Sequence, residues 1–149
     1  MSFEMIIPII LFVFLIGSSH ARTDAEIKQW IFGFAVQCSK EHPVTMEELQ
    51  MMYKHKIPDH QNAKCLLACT FRKTGWLDSN GMFDIKKAYE LAETDYADDS
   101  TKIENSKKVF EICKTVNDEQ VGDDEKGCDR AYLMAKCMAD NGRKMGFQI

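Results

Sequence analysis

The chain predicts an all-α fold: about six helices, tied by three disulfides. Three observations carry this. Apolar residues recur with a helical period while strand signals are scarce. Six cysteines, an even number, all follow an N-terminal apolar segment. Helix-capping and helix-stopping residues punctuate the chain at intervals that suit short helices.

Residues 5–16 form a run of twelve apolar residues. That length suits a signal-peptide core and falls short of the roughly 20 residues a membrane span needs. Ser19 and Ala21 supply the small residues of a cleavage site after Ala21, although Glu4 replaces the usual basic residue of the leader. The expected organisation is a leader over residues 1–21 and one domain over 22–149, with an uncleaved anchor as the alternative. The expected domain carries 19 basic and 22 acidic side chains. A net charge near −3 makes a polyanion an unsuitable partner, so nucleic acid is not expected.

The first helix is expected over residues 24–40, with Ile27, Trp30, Ile31, Phe34 and Cys38 on one face. The second opens on a capping box of Thr45 and Glu48, carries Leu49, Met52 and Tyr53, and ends at Pro58. The third covers residues 59–73. Arg72 and Lys73 suit its negative end, and Gly75 suits the position beyond it. Asp78-Ser79-Asn80-Gly81 reads as a turn. A fourth helix over 84–94 presents Ile85, Ala88, Tyr89 and Ala92, and residues 93–99 read as a solvated acidic loop. The fifth opens on a capping box of Thr101 and Glu104 and presents Ile103, Ser106, Val109, Phe110 and Cys113. A polar loop over 117–127 precedes a sixth helix over 128–141, which Gly142 would cap. Phe147 and Ile149 in the short tail could lie over the cavity as a lid or simply fray.

The cysteines are Cys38, Cys65, Cys69, Cys113, Cys128 and Cys137. No His accompanies them at ligand spacing, so disulfides fit better than a metal site. Cys65 and Cys69 lie one turn apart on one face, where a direct bridge would distort the helix. Cys128 and Cys137 would be separated by about 13 Å of helix rise and half a turn. Of the fifteen pairings that six cysteines allow, these exclusions remove five and leave ten open. Every survivor ties the third helix twice and the sixth at both ends. Such staples could offset a partly hollow core.

The intervals Cys-x26-Cys-x3-Cys-x43-Cys-x14-Cys-x8-Cys, and the stretch Lys64-Cys-Leu-Leu-Ala-Cys-Thr-Phe-Arg-Lys-Thr-Gly-Trp-Leu-Asp, resemble the six-cysteine insect odorant-binding proteins. The resemblance covers the whole expected domain. It implies the bridges Cys38–Cys69, Cys65–Cys128 and Cys113–Cys137, all among the ten survivors. It implies helices set around an internal apolar cavity, and a secreted carrier of odorants or pheromones in sensillar lymph or another fluid. An olfactory receptor would be a downstream partner, and the carrier would be a monomer or weak homodimer. The twelve residues after Cys137 are too few for the extra helix with which longer-tailed pheromone carriers fill their cavity at acid pH.

An apolar ligand needs apolar walls with a few placed polar groups. The candidates are Trp30, Ile31, Phe34, Leu66, Phe71 and Trp76, then Met82, Phe83, Tyr89, Val109 and Phe110, then Leu133, Met134, Met138 and Phe147. Each could equally be ordinary core. Tyr53, Thr70, Tyr89, Tyr132 and Trp76 could orient a ligand by hydrogen bonds. Burying roughly 200 Å² of ligand at about 25 cal/mol per Å² gives around 5 kcal/mol, which points to micromolar binding. Protonation of His42, His55 or His60 could loosen the second helix and release ligand. No cofactor or metal is expected. The sequence contains no His-Asp dipeptide, G-x-S-x-G, H-E-x-x-H or P-loop, so catalysis is not expected. The Asp78-Ser79-Asn80-Gly81 turn also breaks EF-hand spacing. Alternatives are carriage of a non-olfactory lipid, hormone or metabolite, or a secreted protein-binding effector.

Overall fold

The computed structural model describes residues 21–122 and 126–148. The core of the expected leader and the terminal Ile149 lie outside the described residues. Among the described residues there are six α-helices: α1 (Asp24–Cys38), α2 (Met46–Tyr53), α3 (Gln61–Thr74), α4 (Ile85–Asp95), α5 (Ser100–Cys113) and α6 (Cys128–Lys144). A 3₁₀ turn, Lys114–Asn117, continues α5. Among the described residues β pairing amounts to one bridge, Leu77 to Phe83, across the expected turn. Asp78 closes that turn by accepting from the backbone N–H groups of Asn80 and Met82, each at 2.9 Å.

α3 is the central helix. It packs on α1 and α6, while α5 packs on α4 and α6. Its sequence explains the position. Ala63, Cys65, Leu66, Leu67, Ala68, Thr70, Phe71 and Thr74 are all buried, so more than one face avoids water. The bridges are Cys38–Cys69, Cys65–Cys128 and Cys113–Cys137, with Cα–Cα distances of 5.9, 4.4 and 5.7 Å. With every cysteine so engaged, no thiolate remains to hold a metal.

Helix starts follow local chemistry. Thr45 and Glu48 form the expected capping box, and Thr23 and Glu26 form another that starts α1. The expected Thr101–Glu104 box is not used. Asp99 caps α5 instead, accepting from the Lys102 N–H at 2.9 Å. A carboxylate accepts more strongly than a hydroxyl and also favours the positive end of the helix. Glu104 pairs with Lys108 at 2.8 Å, one turn on.

Three helices end in the same way. At His55, Gly75 and Gly146 the chain enters the left-handed region, with φ of 60°, 87° and 86°. Each time the next residue's N–H reaches back to a carbonyl inside the helix: Lys56 to Met51 (2.9 Å), Trp76 to Phe71 (2.9 Å) and Phe147 to Gly142 (3.0 Å). This is the Schellman turn. It corrects two expectations. α2 stops at Tyr53, well before Pro58, because its C-terminal carbonyls are already satisfied by the turn at His55. α6 runs through Gly142 to Lys144, and Gly146 supplies the left-handed position.

The acidic stretch 93–99 is not wholly solvated. Asp95 and Tyr96 are each 5% exposed. Arg22 from the start of the domain supplies the reason. Its Nε donates to Asp95 Oδ1 at 2.8 Å, and its backbone N–H donates to the Asp95 carbonyl at 2.8 Å. A cation at the C-terminal end of α4 also complements the helix dipole. The segment 117–127 is likewise tied down at its start, where buried Arg130 donates to the carbonyls of Val116 and Glu119.

Gly127 is the N-cap of α6, and no side chain caps the helix there. Gly127 has φ 65°, and a Cβ there would lie 2.7 Å from Gly81 Cα. Two backbones touch at that point, with no flexible side chain to yield. Gly127→Ala is expected to destabilise the fold by about 2 kcal/mol, from the left-handed φ and the clash together. Urea unfolding of the two proteins measures this directly.

Candidate ligand cavity

All six helices wall one apolar cavity of about 190 Å³. α1 contributes Ile27, Lys28, Ile31, Phe32 and Ala35. α2 and its Schellman turn contribute Leu49, Met52, Tyr53, His55 and Ile57. α3 gives Leu66, Leu67, Thr70 and Phe71, followed by Trp76. α4 gives Ala88, Leu91, Ala92 and Asp95, ending at Tyr96. α5 gives Ser106, Val109 and Phe110, and α6 gives Ala135, Met138, Ala139 and Gly142, with Phe147 folding back from the tail. The cavity owes its volume to small side chains at deep positions. Ala88, Ala92 and Ala135 are buried, and a larger residue at any of them would occupy the space.

Two of the Schellman turns set wall aromatics. Trp76 follows Gly75 and packs on Phe71, with ring centroids 5.6 Å apart. Phe147 follows Gly146, is buried, and packs on Tyr96 at 5.7 Å. The backbone turn, rather than a long loop, places each ring.

The structure gathers ten of the residues singled out in the sequence onto the wall: Ile31, Tyr53, Leu66, Thr70, Phe71, Trp76, Val109, Phe110, Met138 and Phe147. Eight lie elsewhere. Trp30 and Phe34 meet edge to face, centroids 5.2 Å apart, to one side of the wall on α1, with the Arg22 guanidinium 4.4 Å from the Trp30 ring centroid. Met82 and Phe83 belong to the turn after Gly81, and Phe83 packs in the core behind Phe110 at 6.1 Å. Tyr89 turns its hydroxyl to Glu111 near the surface. Tyr132 lies between Lys64 and Lys136, at 5.0 and 5.2 Å. Leu133 and Met134 pack in the core, Met134 with no exposure. Sequence reasoning did not single out Phe32, Leu49, Met52, Ile57 or Tyr96 as wall residues. The Ala88–Ala92 spacing was visible, whereas Tyr96 was hidden in an acidic run.

Few polar groups face the cavity. Thr70 donates its hydroxyl to the Leu66 carbonyl at 2.8 Å. Asp95 is held by Arg22. The Lys28 ammonium lies 4.3 Å from the centroid of the half-exposed Tyr53 ring. Two buried polar atoms, Trp76 Nε1 and the Tyr96 hydroxyl, have no hydrogen-bond partner among the described residues. Burial, aided by the Asp24 and Asp95 carboxylates, raises the Tyr96 phenol well above its usual range, so it stays protonated. Asp24, beside that phenol, accepts from Lys102 Nζ at 2.6 Å.

His55 is held below its usual value of 6.5, first by burial and then by Lys28 and Arg143. The folded state therefore resists protonation more than the unfolded chain does. Stability contributed by neutral His55 is present above about pH 6.5 and is lost as pH falls below it. The lowered carboxyls of Asp24 and Glu48 add their own loss below their ordinary values of 3.8 and 4.5. Thermal melts between pH 7.5 and 5 should show a falling midpoint, and His55→Gln should flatten that segment while leaving the decline below pH 4.5.

A model of the PBP/GOBP family matches residues 20–141. The chain belongs to the PBP/GOBP family. Among curated members it is similar to general odorant-binding protein 28a of Drosophila melanogaster, 28% identical over 142 residues, covering 93% of this chain and 96% of that one. It is also similar to general odorant-binding protein 19d of the same fly, 24% identical over 138 residues, covering 92% and 89%. The solved structure of odorant-binding protein dmelOBP28a from Drosophila melanogaster superposes with a TM-score of 0.66 at 26% identity, over 84% of this chain and 99% of that one. The all-helical fold and three bridges described above fit that family.

Proposed function

We propose that this PBP/GOBP chain is a secreted carrier that shelters a small apolar molecule of odorant or pheromone type and moves it through aqueous fluid without altering it. The supporting observation is the apolar cavity walled by every helix. Its 190 Å³ lies below the roughly 300–1,000 Å³ typical of drug-sized ligands, which favours a compact, volatile-sized guest. The test uses the fluorescent probe N-phenyl-1-naphthylamine. It is expected to bind with micromolar affinity and to be displaced by volatile esters, aldehydes or ketones. Ala92→Phe should fill the cavity and weaken probe binding at least tenfold with unchanged helical circular dichroism. Probe binding by neither protein, or equal binding by both, overturns the reading.

The leader fits the same role. Arg22 is anchored to the end of α4 by both backbone and side chain, so a domain starting there begins at a packed residue. Expression in a secretory host should yield a protein whose N-terminal residue, by mass spectrometry, is Arg22. No helix among the described residues is long and apolar enough to cross a membrane.

A further inference from the structure

The first residue of the expected domain is held from three directions. The Arg22 backbone N–H donates to the Asp95 carbonyl at 2.8 Å, its Nε donates to Asp95 Oδ1 at 2.8 Å, and its guanidinium lies 4.4 Å from the centroid of the Trp30 ring. The Asp95 carbonyl is one of the last four of α4, and such carbonyls have no partner inside their helix. Other elements gather at the same corner. Lys102 of α5 pairs with Asp24 at 2.6 Å, and the Gln148 N–H of the tail donates to the other oxygen of Asp24 at 3.2 Å. Asp95, Tyr96 and Phe147 carry this corner into the cavity wall.

We propose that removal of the leader at the Ala21–Arg22 bond locks this corner, because the α-ammonium group it creates at Arg22 docks on the negative end of α4. In the hydrolysis one water adds across that bond. The Ala21 carboxylate leaves with the leader, and the freed Arg22 amine takes up a proton. The protease is the leader-removing enzyme of a secretory membrane. A neutral amide donor thereby becomes a full positive charge at the same atom. This rests on the secreted reading and gives the processing step a structural role.

The charges around the site favour a third cation. Asp24, Asp98 and Asp99 line the surface depression beside Arg22, together with Tyr96 and Lys102, and Asp95 lies against Arg22. Four carboxylates thus meet two cations. Glu26 is committed to the Thr23 N–H at 2.7 Å, and the protonated Tyr96 phenol adds no charge. An ammonium at Arg22 improves that balance and faces a helix C-terminus, where a partly buried cation is favoured. The folded state therefore prefers the protonated amine. The stability this contributes is full below the ordinary α-amino range of about 7.7–8.0 and is lost as pH rises through the higher folded value. A chain that still carries residues before Arg22 keeps the N–H but lacks the charge.

The experiment compares two chains that both begin at Arg22. One has a free amine, released from a fusion cut cleanly before that residue, and the other is Nα-acetylated. Both retain an N–H for the Asp95 carbonyl, so charge is what distinguishes them. The free chain is expected to melt about 3–5 °C higher at pH 7. The gap should close to within about 1 °C by pH 10, where the amine is neutral. A third chain extended back to Ser18 should melt like the acetylated one at pH 7. In the free chain the α-amine should react with an acetylating ester about tenfold more slowly in buffer than in concentrated urea, read by peptide mass mapping. Equal melts at pH 7, a gap unchanged at pH 10, or an α-amine labelled as fast folded as unfolded each overturns the lock. A secreted N-terminus other than Arg22 defeats the expected cleavage site instead, and the melts of the defined chains still judge the docked amine.

Discussion

Cys65→Ser combined with Cys128→Ser should cost about 4 kcal/mol and lower the melting midpoint by roughly 10–15 °C. This bridge spans 63 residues, against 31 for Cys38–Cys69 and 24 for Cys113–Cys137. On the chain-entropy model the two shorter crosslinks restrain the unfolded chain by about 3.5 kcal/mol each, so the long one should rank first. Local structure points the same way. α6 starts without a capping side chain, and Cys128 is its first residue. Once the bridge is gone, the contact of Gly127 with Gly81 and the ion pair of Lys64 with Asp129 (3.1 Å) still hold that end. Lys64 has Asp59 as a second partner at 2.8 Å, and exposed pairs contribute little. Denaturant titration of the three double-serine variants gives the order. A smaller loss from Cys65–Cys128 than from either neighbour would show that strain or residual structure outweighs loop length.

Leu66→Ala should cost about 3 kcal/mol, from lost burial plus the void left behind. Leu66 is fully buried, packs in a cluster with Cys38 and Leu49, and also lines the cavity. The vacated space would therefore join an existing chamber rather than form an isolated hole. Two consequences separate this site from a plain core position. A ligand one or two methylenes longer should gain affinity in the variant relative to wild type. Saturating ligand should also restore much of the lost stability, since a ligand at 100 times its Kd stabilises by about 2.7 kcal/mol. Met134→Ala, at a fully buried position away from the wall, should cost a similar amount and show neither effect. Thermal shift with and without a homologous series of ketones distinguishes the two.

The elements of the fold were legible because their signals are local. Thr45 with Glu48, Gly75 after Arg72 and Lys73, and apolar residues at helical spacing each need only a few neighbours to be read. Errors arose where two local signals competed. Thr101 reads as the cap of α5, where Asp99 two residues earlier takes that role, and Gly142 reads as the end of α6, where Gly146 supplies the left-handed turn. Burial of Asp95 was not legible, because its partner Arg22 lies 73 residues away and nothing near Asp95 announces a cation. The wall was half legible for a geometric reason. A helix places successive residues about 100° apart, so apolar pattern marks the inward half of α1 but not the angle that meets the void. Trp30 and Phe34 fall to one side of that angle, and Phe32 and Ala35 fall on it. At alanine positions the signal is weaker still, because a small residue reads the same whether it permits a close helix contact or an empty volume.

The left-handed turns at His55, Gly75 and Gly146 separate architecture from selectivity. Main-chain bonds at these corners fix where Trp76 and Phe147 project, whatever ring stands there. A Tyr or Leu could replace either one while the scaffold kept its course. Related chains built on the same corners could therefore diversify what they carry through single exchanges at these two sockets, with no rebuilding of the helices behind them.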